Sequence, residues 1–278
     1  MEPATAPAAR ARHTITPRSP KFDYSEVPRY WMGDNPIGTH MANGVNLLFP
    51  LGERFFIRSV NHYADTLDDP ALREQVKGFF AQEARHGAAH QDHYDVLRAQ
   101  GYEIDRFLAL YDRIAWKVAE PAFPPAMRLA VTAALEHYTA IMAEGALAFG
   151  TLDVAHPQMQ ALLKWHAAEE IEHKTVAFDV LQTVNPSYAL RMGGMAIATV
   201  GLIAFWSAAT LMFLRQDARA GRRVTDAQRA QFKEFQRERP VLREVFFNGL
   251  KQYLRRGFHP SQNDNLDLAY KHLAAVAA

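Results

Sequence analysis

The step Glu-x-x-His occurs twice in this sequence and restricts the fold more than any other feature. The first copy is Glu83 and His86, in the segment FFAQEARHGAAH. The second copy is Glu170 and His173, in the segment WHAAEEIEHKTVAF. Residues three apart on an α-helix lie on the same face, about one turn apart. Each copy can therefore present a carboxylate and an imidazole to one metal ion, which predicts two helices that face a common site.

A lone glutamate precedes each copy at a similar distance. Glu53 lies 30 residues before Glu83, and Glu136 lies 34 residues before Glu170. Glu53 follows the apolar segment NLLFPL, and Glu136 is flanked by small and apolar residues in VTAALEHYTA. Two helices with an inward glutamate, together with two Glu-x-x-His helices, are the pattern of a metal-binding four-helix bundle. The sequence therefore predicts such a bundle, with a pseudo-twofold axis.

Buried charge explains why these residue types occur together. Two divalent ions about 3.5–4 Å apart carry four positive charges, which four carboxylates neutralise. Without metal, four buried carboxylates would repel one another, and some would bind protons. We therefore expect two metal ions as the cofactor. The predicted metal ligands are Glu53, Glu83, His86, Glu136, Glu170 and His173.

Helix-breaking residues divide most of the chain into successive helices. Prolines or glycines stand at the breaks, at Pro70, Gly101, Pro157 and Pro186 and within 121–125, where helices start or stop. Strand-like alternation is nearly absent, so we predict an all-α protein with long antiparallel helices. The predicted helices cover residues 43–66, 69–100, 103–118, 124–150, 156–184, 187–217, 225–239 and 240–256, and a short helix follows Pro260.

We expect three regions along the chain. Residues 1–40, with several prolines, are predicted to form an irregular or disordered N-terminal leader. Residues 41–186 are predicted to form the di-metal four-helix bundle. Residues 187–278 are predicted to form an additional apolar helix and a basic C-terminal helical appendage, because residues 215–256 contain 12 Lys and Arg against 5 Asp and Glu.

The segment 192–214 contains no charged residue and is flanked by Arg191 and Arg215. A helix of this length is long enough to span a bilayer. The basic residues after it would then remain in the cytoplasm and the metal domain would lie outside. Shallow insertion from the cytoplasmic side, with arginines at anionic headgroups, avoids that conflict. Burial as a fifth helix or at an oligomer contact is the third alternative, and a homodimer is one form of it.

Composition excludes several classes of site. The chain has no cysteine, so disulfides, thiolate catalysis and cysteine-ligated zinc or iron–sulfur centres are excluded. Its 12 histidines and its carboxylates suit iron, manganese or zinc. A net charge of +1 gives no argument for a nucleic-acid partner. The N-terminus lacks the apolar core of a secretory signal, so we expect a cytoplasmic protein. Association with the inner face of the membrane through residues 192–214 is one of the alternatives for that segment.

The four-helix pattern resembles the ferritin-like di-iron carboxylate superfamily. The segments FPLGERFF, QEARHGAAH, ALEHYTAIMAE and WHAAEEIEHKTVAFDV resemble more narrowly a bacterial family described as predicted metal-dependent hydrolases, over roughly residues 40–260. The superfamily resemblance implies a di-metal site, often of iron, that activates O2, with the six ligands given above. His90 and His166 have no counterpart in the minimal pattern. They are additional candidates, as ligands, as partners that orient carboxylates, or as core histidines.

Three functions follow as alternatives. The first is a di-iron enzyme that activates O2 to oxidise or hydroxylate an organic small-molecule substrate, which would be lipophilic if residues 192–214 meet a membrane. The second is a metal-dependent hydrolase that uses a water bound by two metal ions. The third is a non-catalytic bundle that handles iron. The neighbouring carboxylates Glu169 and Glu172 are interpreted as outer groups around the ligands or as solvated groups, because only Glu170 reproduces the spacing of the first copy.

Overall fold

The computed structural model describes residues 13–276, and helices make up most of it. No strand occurs within this range, although Met32 and Ala155 form an isolated β-bridge. The prediction of an all-α protein is therefore confirmed. Residues 13–35 are mostly irregular. The prediction for residues 1–12 lies outside the described range.

Helices follow one another with short connections. The first half of the chain contains α1 (Pro36–Asn46), α2 (Phe49–Ala64), α3 (Pro70–Ala99), α4 (Asp105–Tyr111), α5 (Glu120–Ala122) and α6 (Pro125–Ala148), with a π-helical segment (Asp112–Ala119) between α4 and α5. The second half contains α7 (Pro157–His173), α8 (Val176–Val184), α9 (Tyr188–Arg219), α10 (Asp226–Glu238), α11 (Val241–Arg243), α12 (Leu250–Tyr253) and α13 (Leu266–Val276), with a π-helical segment (Glu244–Gly249) between α11 and α12.

Capping residues fix several helix starts. The side chains of Asn35 and Asp69 accept hydrogen bonds from the first free backbone N–H groups of α1 and α3. Thr225 and Gln228 form a capping box at α10. Side chains of this type satisfy backbone donors that have no partner within the helix. Prolines occupy the first helical position of α1, α3, α6 and α7, as the sequence pattern indicates.

Two helices that the sequence predicts as continuous are broken in the structure. The predicted helix 43–66 divides at Leu47 and Leu48. Pro50 has no N–H to donate to the carbonyl of Asn46, and a proline ring crowds the preceding turn. The predicted helix 156–184 divides directly after His173, where the buried ammonium group of Lys174 donates to Asn263 and Asn265.

The helices that carry the predicted ligands pack on one another. Helices α2 and α3 form one pair, α6 and α7 form another, and contacts of α2 with α6 and of α3 with α7 join the pairs. A cluster of buried apolar residues, which includes Phe55, Phe79, Leu129 and Val180, lies among these helices and α8. These contacts position the inner faces of four helices around one volume. A ferritin-like topology for them stays a prediction.

Helix α9 packs along α6 and α1. A Cβ atom added at Gly194 would lie 2.5 Å from the backbone carbonyl of Ala130, so the two helices approach closely there. The buried carboxylate of Asp217 binds His40 of α1 at 2.6 Å and the hydroxyl groups of Tyr30 and Tyr102. By length and composition α9 could cross a membrane, and 22% of its most apolar window is buried within the protein.

Candidate metal centre

The structure brings all six predicted ligands together. Helix α2 supplies Glu53, α3 supplies Glu83 and His86, α6 supplies Glu136, and α7 supplies Glu170 and His173. All six are at most 3% exposed. Their arrangement follows from the helical spacing, because each Glu-x-x-His step directs both side chains to the same side of its helix.

His173 lies among three of the carboxylates. Its Nε2 atom is 3.1 Å from an oxygen of Glu83, 3.4 Å from one of Glu136 and 3.6 Å from one of Glu170. The Nδ1 atom of His86 lies 3.7 Å from Glu170 and 3.9 Å from Glu83. The two imidazoles therefore face the same carboxylates from different helices.

Potential donor atoms form three overlapping groups, within each of which the atoms lie no more than 4.8 Å apart. Glu83 belongs to one group with His173 and to another with His86, and His86 also belongs to the group with His166, so the three groups are adjacent. Each group could hold a metal ion. The groups are Glu53, His86 and His166; Glu83, Glu136 and His173; and Glu83, His86 and Glu170.

The outward nitrogens of His86 and His173 are engaged by fixed partners. His86 Nε2–H donates to Glu169 at 2.9 Å, which leaves Nδ1 directed at the carboxylates. His173 Nδ1–H donates to the side-chain oxygen of Gln82 at 2.8 Å, which leaves Nε2 directed at the carboxylates. Metal-binding histidines generally donate their second ring N–H in this way, which fixes the tautomer and the ring orientation.

His166 occupies a comparable position, although the minimal sequence pattern does not include it. Its Nε2 atom lies 2.8 Å from Glu170 and 3.7 Å from Glu53. Its Nδ1 atom lies 2.5 Å from Nε2 of His90, one helical turn beyond His86. The structure thus places His166 at the donor cluster and His90 behind it.

The donor atoms fit a metal centre because they lack other partners. Atoms in this cluster that are buried without a hydrogen-bond partner include both oxygens of Glu53, Glu83 and Glu136, Oε2 of Glu170, Nδ1 of His86 and Nε2 of His173. A buried polar atom without a partner is costly. Carboxylate oxygens and imidazole nitrogens in this number are the donors that iron, manganese and zinc accept. Bound cations would satisfy all of these atoms at once.

The charges of the cluster are mutually dependent. Burial, reinforced by the neighbouring carboxylates, raises the pKa of Glu53 and Glu136 well above the ordinary value. Burial also raises the pKa of Glu83, to about 7. Burial alone would raise the pKa of Glu170, but its contacts with His173 hold that pKa well below the ordinary value. Without metal, the cluster therefore retains protons that bound cations would displace.

Glu169 and Glu172 are two further buried carboxylates, which lie outside the cluster. Neither is solvated: Glu169 accepts from His86, and Glu172 accepts from the amide of Gln82 at 2.6 Å. The guanidinium group of Arg18, in the irregular N-terminal segment, reaches Glu169 at 3.0 Å and Glu172 at 2.9 Å. This segment therefore compensates the charge of the outer carboxylates.

The site also includes Gln82, Arg18 and Gly87, which the motif pattern of the sequence does not predict. A Cβ atom added at Gly87 would lie 2.9 Å from an oxygen of Glu53, so glycine leaves room for that carboxylate. Gln82 directly precedes the first Glu-x-x-His step, and Gly87 directly follows that step. This adjacency is what the sequence offers to indicate that either residue belongs to the site. Arg18 carries no such signal, because its partners lie more than 150 residues away.

Two apolar cavities reach the donor cluster. The first cavity, of about 170 Å3, has Glu53, Tyr111, Trp116, Gly201 and Phe205 among its lining residues. The second cavity, of about 210 Å3, is lined by His166 and Glu170 together with apolar residues of α1, α6 and α10. Both cavities share Val45, Phe49, Thr139 and Met142 as walls. The cluster is therefore accessible from apolar space.

The fold and this donor set define a class of protein: a helical protein with buried carboxylate and histidine groups that can bind metal. The family model described as "Predicted metal-dependent hydrolase" matches residues 16–264, so the chain belongs to that family. This confirms the narrower resemblance seen in the sequence. No curated protein matches the chain. No solved structure matches it either.

Proposed function

We propose that this protein is a metal-dependent hydrolase whose active site holds two metal ions. The observation that supports this function is the convergence of carboxylate and imidazole atoms without hydrogen-bond partners in one buried volume. The family to which the chain belongs supports hydrolysis rather than another reaction. The proposed ligands are Glu53, Glu83, His86, Glu136, Glu170 and His173, with His166 as a seventh.

Two bound ions would supply a water of lowered pKa and a Lewis acid that polarises the bond to be cleaved. The residues of the chain would hold the ions and orient the substrate. Glu53 lines the first cavity, and neither of its oxygens has a hydrogen-bond partner. As a proposed ligand, it would hold an ion on the substrate side of the centre. The apolar walls around it exclude bulk water, which strengthens the electrostatic interactions within the site.

An oxidase or oxygenase that activates O2 is the second candidate, and one observation favours it. Four carboxylates and at least two imidazoles, with no thiolate, are the donor set of the ferritin-like di-iron proteins. An apolar cavity beside this set would suit an oxidisable organic substrate. The native metal would then be iron.

Metal analysis combined with two activity assays separates these candidates. The protein would be purified anaerobically after growth with iron, manganese and zinc supplied together, and its metals counted. Hydrolysis of ester and phosphoester substrates under argon would support the hydrolase. Consumption of O2 that depends on reductant and iron, without hydrolysis, would support the second candidate and contradict the first.

Ligand variants test the site itself. Glu170→Ala and His173→Ala should lose bound metal, while His62→Ala, at an exposed position near the end of α2, should retain it. Circular dichroism checks that the helices persist in all three variants. Full metal occupancy in both ligand variants would contradict the assignment.

A further inference from the structure

Helix α9 exposes a continuous apolar face. Its exposed positions in the central part are Ala196, Val200, Ile203, Ala204, Ser207, Ala208 and Leu211, which recur every three or four residues. This spacing defines a single face of a helix. The opposite face packs on α6 and α1. Protein therefore covers one side of α9 along its length, so the helix can lie on a membrane but is not free to cross one alone.

A second apolar stripe lies on the neighbouring rod formed by α4, the π-helical segment and α5. Leu110, Ile114 and Val118 are spaced four apart and are exposed. The inner side of this rod packs on α9, where the rings of Tyr111 and Phe205 lie 4.7 Å apart. We call the two stripes together the entrance face, which consists of Leu110, Ile114, Val118, Val200, Ile203 and Leu211, each between 45% and 70% exposed.

The first cavity opens within the entrance face. Ile114 belongs to both, because it is exposed and also lines the cavity. Gly201 and Leu202 line the same cavity from α9, between the exposed residues Val200 and Ile203. The inner end of the cavity reaches Glu53. An apolar path therefore leads from the entrance face to the donor cluster.

Cationic side chains border the entrance face. Arg106 and Arg113 are exposed on the rod that carries the second stripe, and Arg215 and Arg219 follow the exposed stripe of α9. The acidic residues of the rod are paired: Asp105 with Arg98, Asp112 with Lys117 and Glu120 with Arg58. Apolar faces with such flanks bind anionic bilayers, at roughly 1 kcal/mol for each Lys or Arg near the surface.

We propose that the entrance face docks on a bilayer that contains anionic lipid, and that the first cavity receives a substrate with an apolar chain from that bilayer. The second half of this inference rests on the proposed function, while the first half does not. Large exposed apolar patches with polar rims mark interaction sites. A bilayer fits this face because the apolar stripes, the cationic border and the cavity opening occur together.

Vesicle flotation tests the docking face and needs neither bound metal nor catalytic turnover. Its result therefore does not depend on whether the protein is a hydrolase. The probe is a set of phosphatidylcholine vesicles with or without phosphatidylglycerol. The wild-type chain should float with the anionic vesicles. Val118→Glu and Val200→Glu should each reduce the bound fraction at least tenfold. Phe247→Glu is the matched control, because Phe247 is equally exposed at 65% but lies on the π-helical segment after α11; it should float like the wild type.

Three results would overturn the docking proposal. The first is a wild-type chain that stays with the soluble fraction. The second is flotation of both face variants at the wild-type level. The third is a wild-type dimer in light scattering that Val200→Glu converts to a monomer without any vesicle binding, which would assign the face to a second copy of this chain.

A glycine pair tests the cavity. Neither Gly201 nor Gly257 has an atom within 4 Å of an added Cβ, so a larger side chain at either position meets open space. Gly201→Leu should weaken binding of a dansyl-labelled long-chain fatty acid at least tenfold, because Gly201 lines the cavity. Gly257→Leu should leave that binding unchanged. Equal binding by Gly201→Leu and the wild type would contradict entry by this route.

Discussion

The Nε2 atom of His90 lies 2.5 Å from the Nδ1 atom of His166. A single proton lies between these two nitrogens. Whether His90 or His166 carries it sets the tautomer of His166 and so determines whether Nε2 of His166 can bind a metal ion. If His166 donates through Nδ1–H, the lone pair of its Nε2 atom points toward Glu53 and Glu170, where a bound ion could accept it. His90 is fully buried, and burial lowers its pKa well below the ordinary value, so the ring is neutral and can accept that proton. His90 would then orient His166 as a ligand.

Replacement of His90 should therefore weaken metal binding without removing a proposed ligand. We expect His90→Phe to lower metal affinity by roughly 10- to 100-fold, as is typical when the partner of a metal-binding histidine is lost. A competition titration with a chromophoric chelator measures the change. His93→Phe is the control, because His93 lies on the same helix outside the donor groups. Equal affinity of His90→Phe and the wild type would contradict this role.

Gly87→Ala should separate stability from metal binding. Alanine in a helix interior is about 0.5–1 kcal/mol more favourable than glycine, so the metal-free variant should be slightly more stable. The added Cβ lies 2.9 Å from an oxygen of Glu53, which must move aside. Metal affinity should fall at least tenfold while the melting temperature of the metal-free form rises. Unchanged affinity would show that the position of the Glu53 carboxylate does not matter.

Much of the fold could be predicted because local rules determine it. The starts of α3, α6, α7 and α9 lie within about one residue of the predicted ones, since a proline or a capping side chain marks each start. The breaks after Asn46 and after His173 were missed. At the second break Lys174 contacts Asn263 and Asn265 across the fold, and no local pattern in the sequence records such a contact.

The inner part of the candidate site was also predictable, because Glu-x-x-His spacing directs both side chains to one face. The outer part was not. Arg18 meets Glu172 from an irregular segment 154 residues away, and Gln82 joins Glu172 to His173 from another helix. Such contacts arise only after the helices pack. The role of Glu53, Glu83 and the other four residues as bound-metal ligands stays a prediction.

The metal-free protein should lose stability as pH rises above 6.5. The pKa values of Glu53, Glu83 and Glu136 are raised by burial, that of Glu83 to about 7. The folded state therefore binds protons that the unfolded chain has released, and the free energy of unfolding falls with pH by about 1.4 kcal/mol per unit for each proton. The contribution of Glu83 is lost near pH 7, so the fall at higher pH comes from Glu53 and Glu136. Above pH 6.5 the histidines of the unfolded chain are mostly neutral. They therefore bind few protons on unfolding and do not oppose this fall in stability.

Urea unfolding at pH 6.5, 7.5 and 8.5 measures this dependence in the metal-free and metal-loaded forms. The metal-loaded form should not lose stability over this range, because the bound cations have already displaced the protons of its carboxylates into solvent. Glu53→Gln should reduce the slope of the metal-free form. Equal slopes in both forms would contradict the assignment of these protons to the cluster.

His93 should contribute a separate loss of stability at acidic pH. It is buried, neither ring nitrogen has a hydrogen-bond partner, and burial lowers its pKa to about 4. Between pH 6.5 and 4 the unfolded chain binds a proton that the folded chain does not, so stability falls as pH falls, by up to about 3 kcal/mol. His93→Phe should lose less stability than the wild type between pH 7 and 4.5 in urea unfolding. His62→Phe, at an exposed position, should follow the wild type.

Arg18 should stabilise both the fold and the metal centre, although it lies in an irregular segment. Its guanidinium group donates to Glu169 and Glu172, which are buried. Arg18→Met would leave both carboxylates without their cation, and hydrogen bonds to charged groups contribute about 1.5–3 kcal/mol each. We expect the free energy of unfolding to fall by about 2 kcal/mol. Metal affinity should also fall, because Glu169 holds the outward nitrogen of His86.

A double-mutant cycle identifies the source of this effect. Glu172→Gln removes one charge that Arg18 compensates, so Arg18→Met should be less harmful in that background, with a coupling energy of at least about 0.5 kcal/mol. Arg98→Met is the control, because Arg98 pairs with exposed carboxylates at Asp95 and Asp105, and such pairs contribute at most about 1 kcal/mol. Equal losses for Arg18→Met and Arg98→Met, or a coupling energy near zero, would show that the N-terminal segment does not compensate the outer carboxylates.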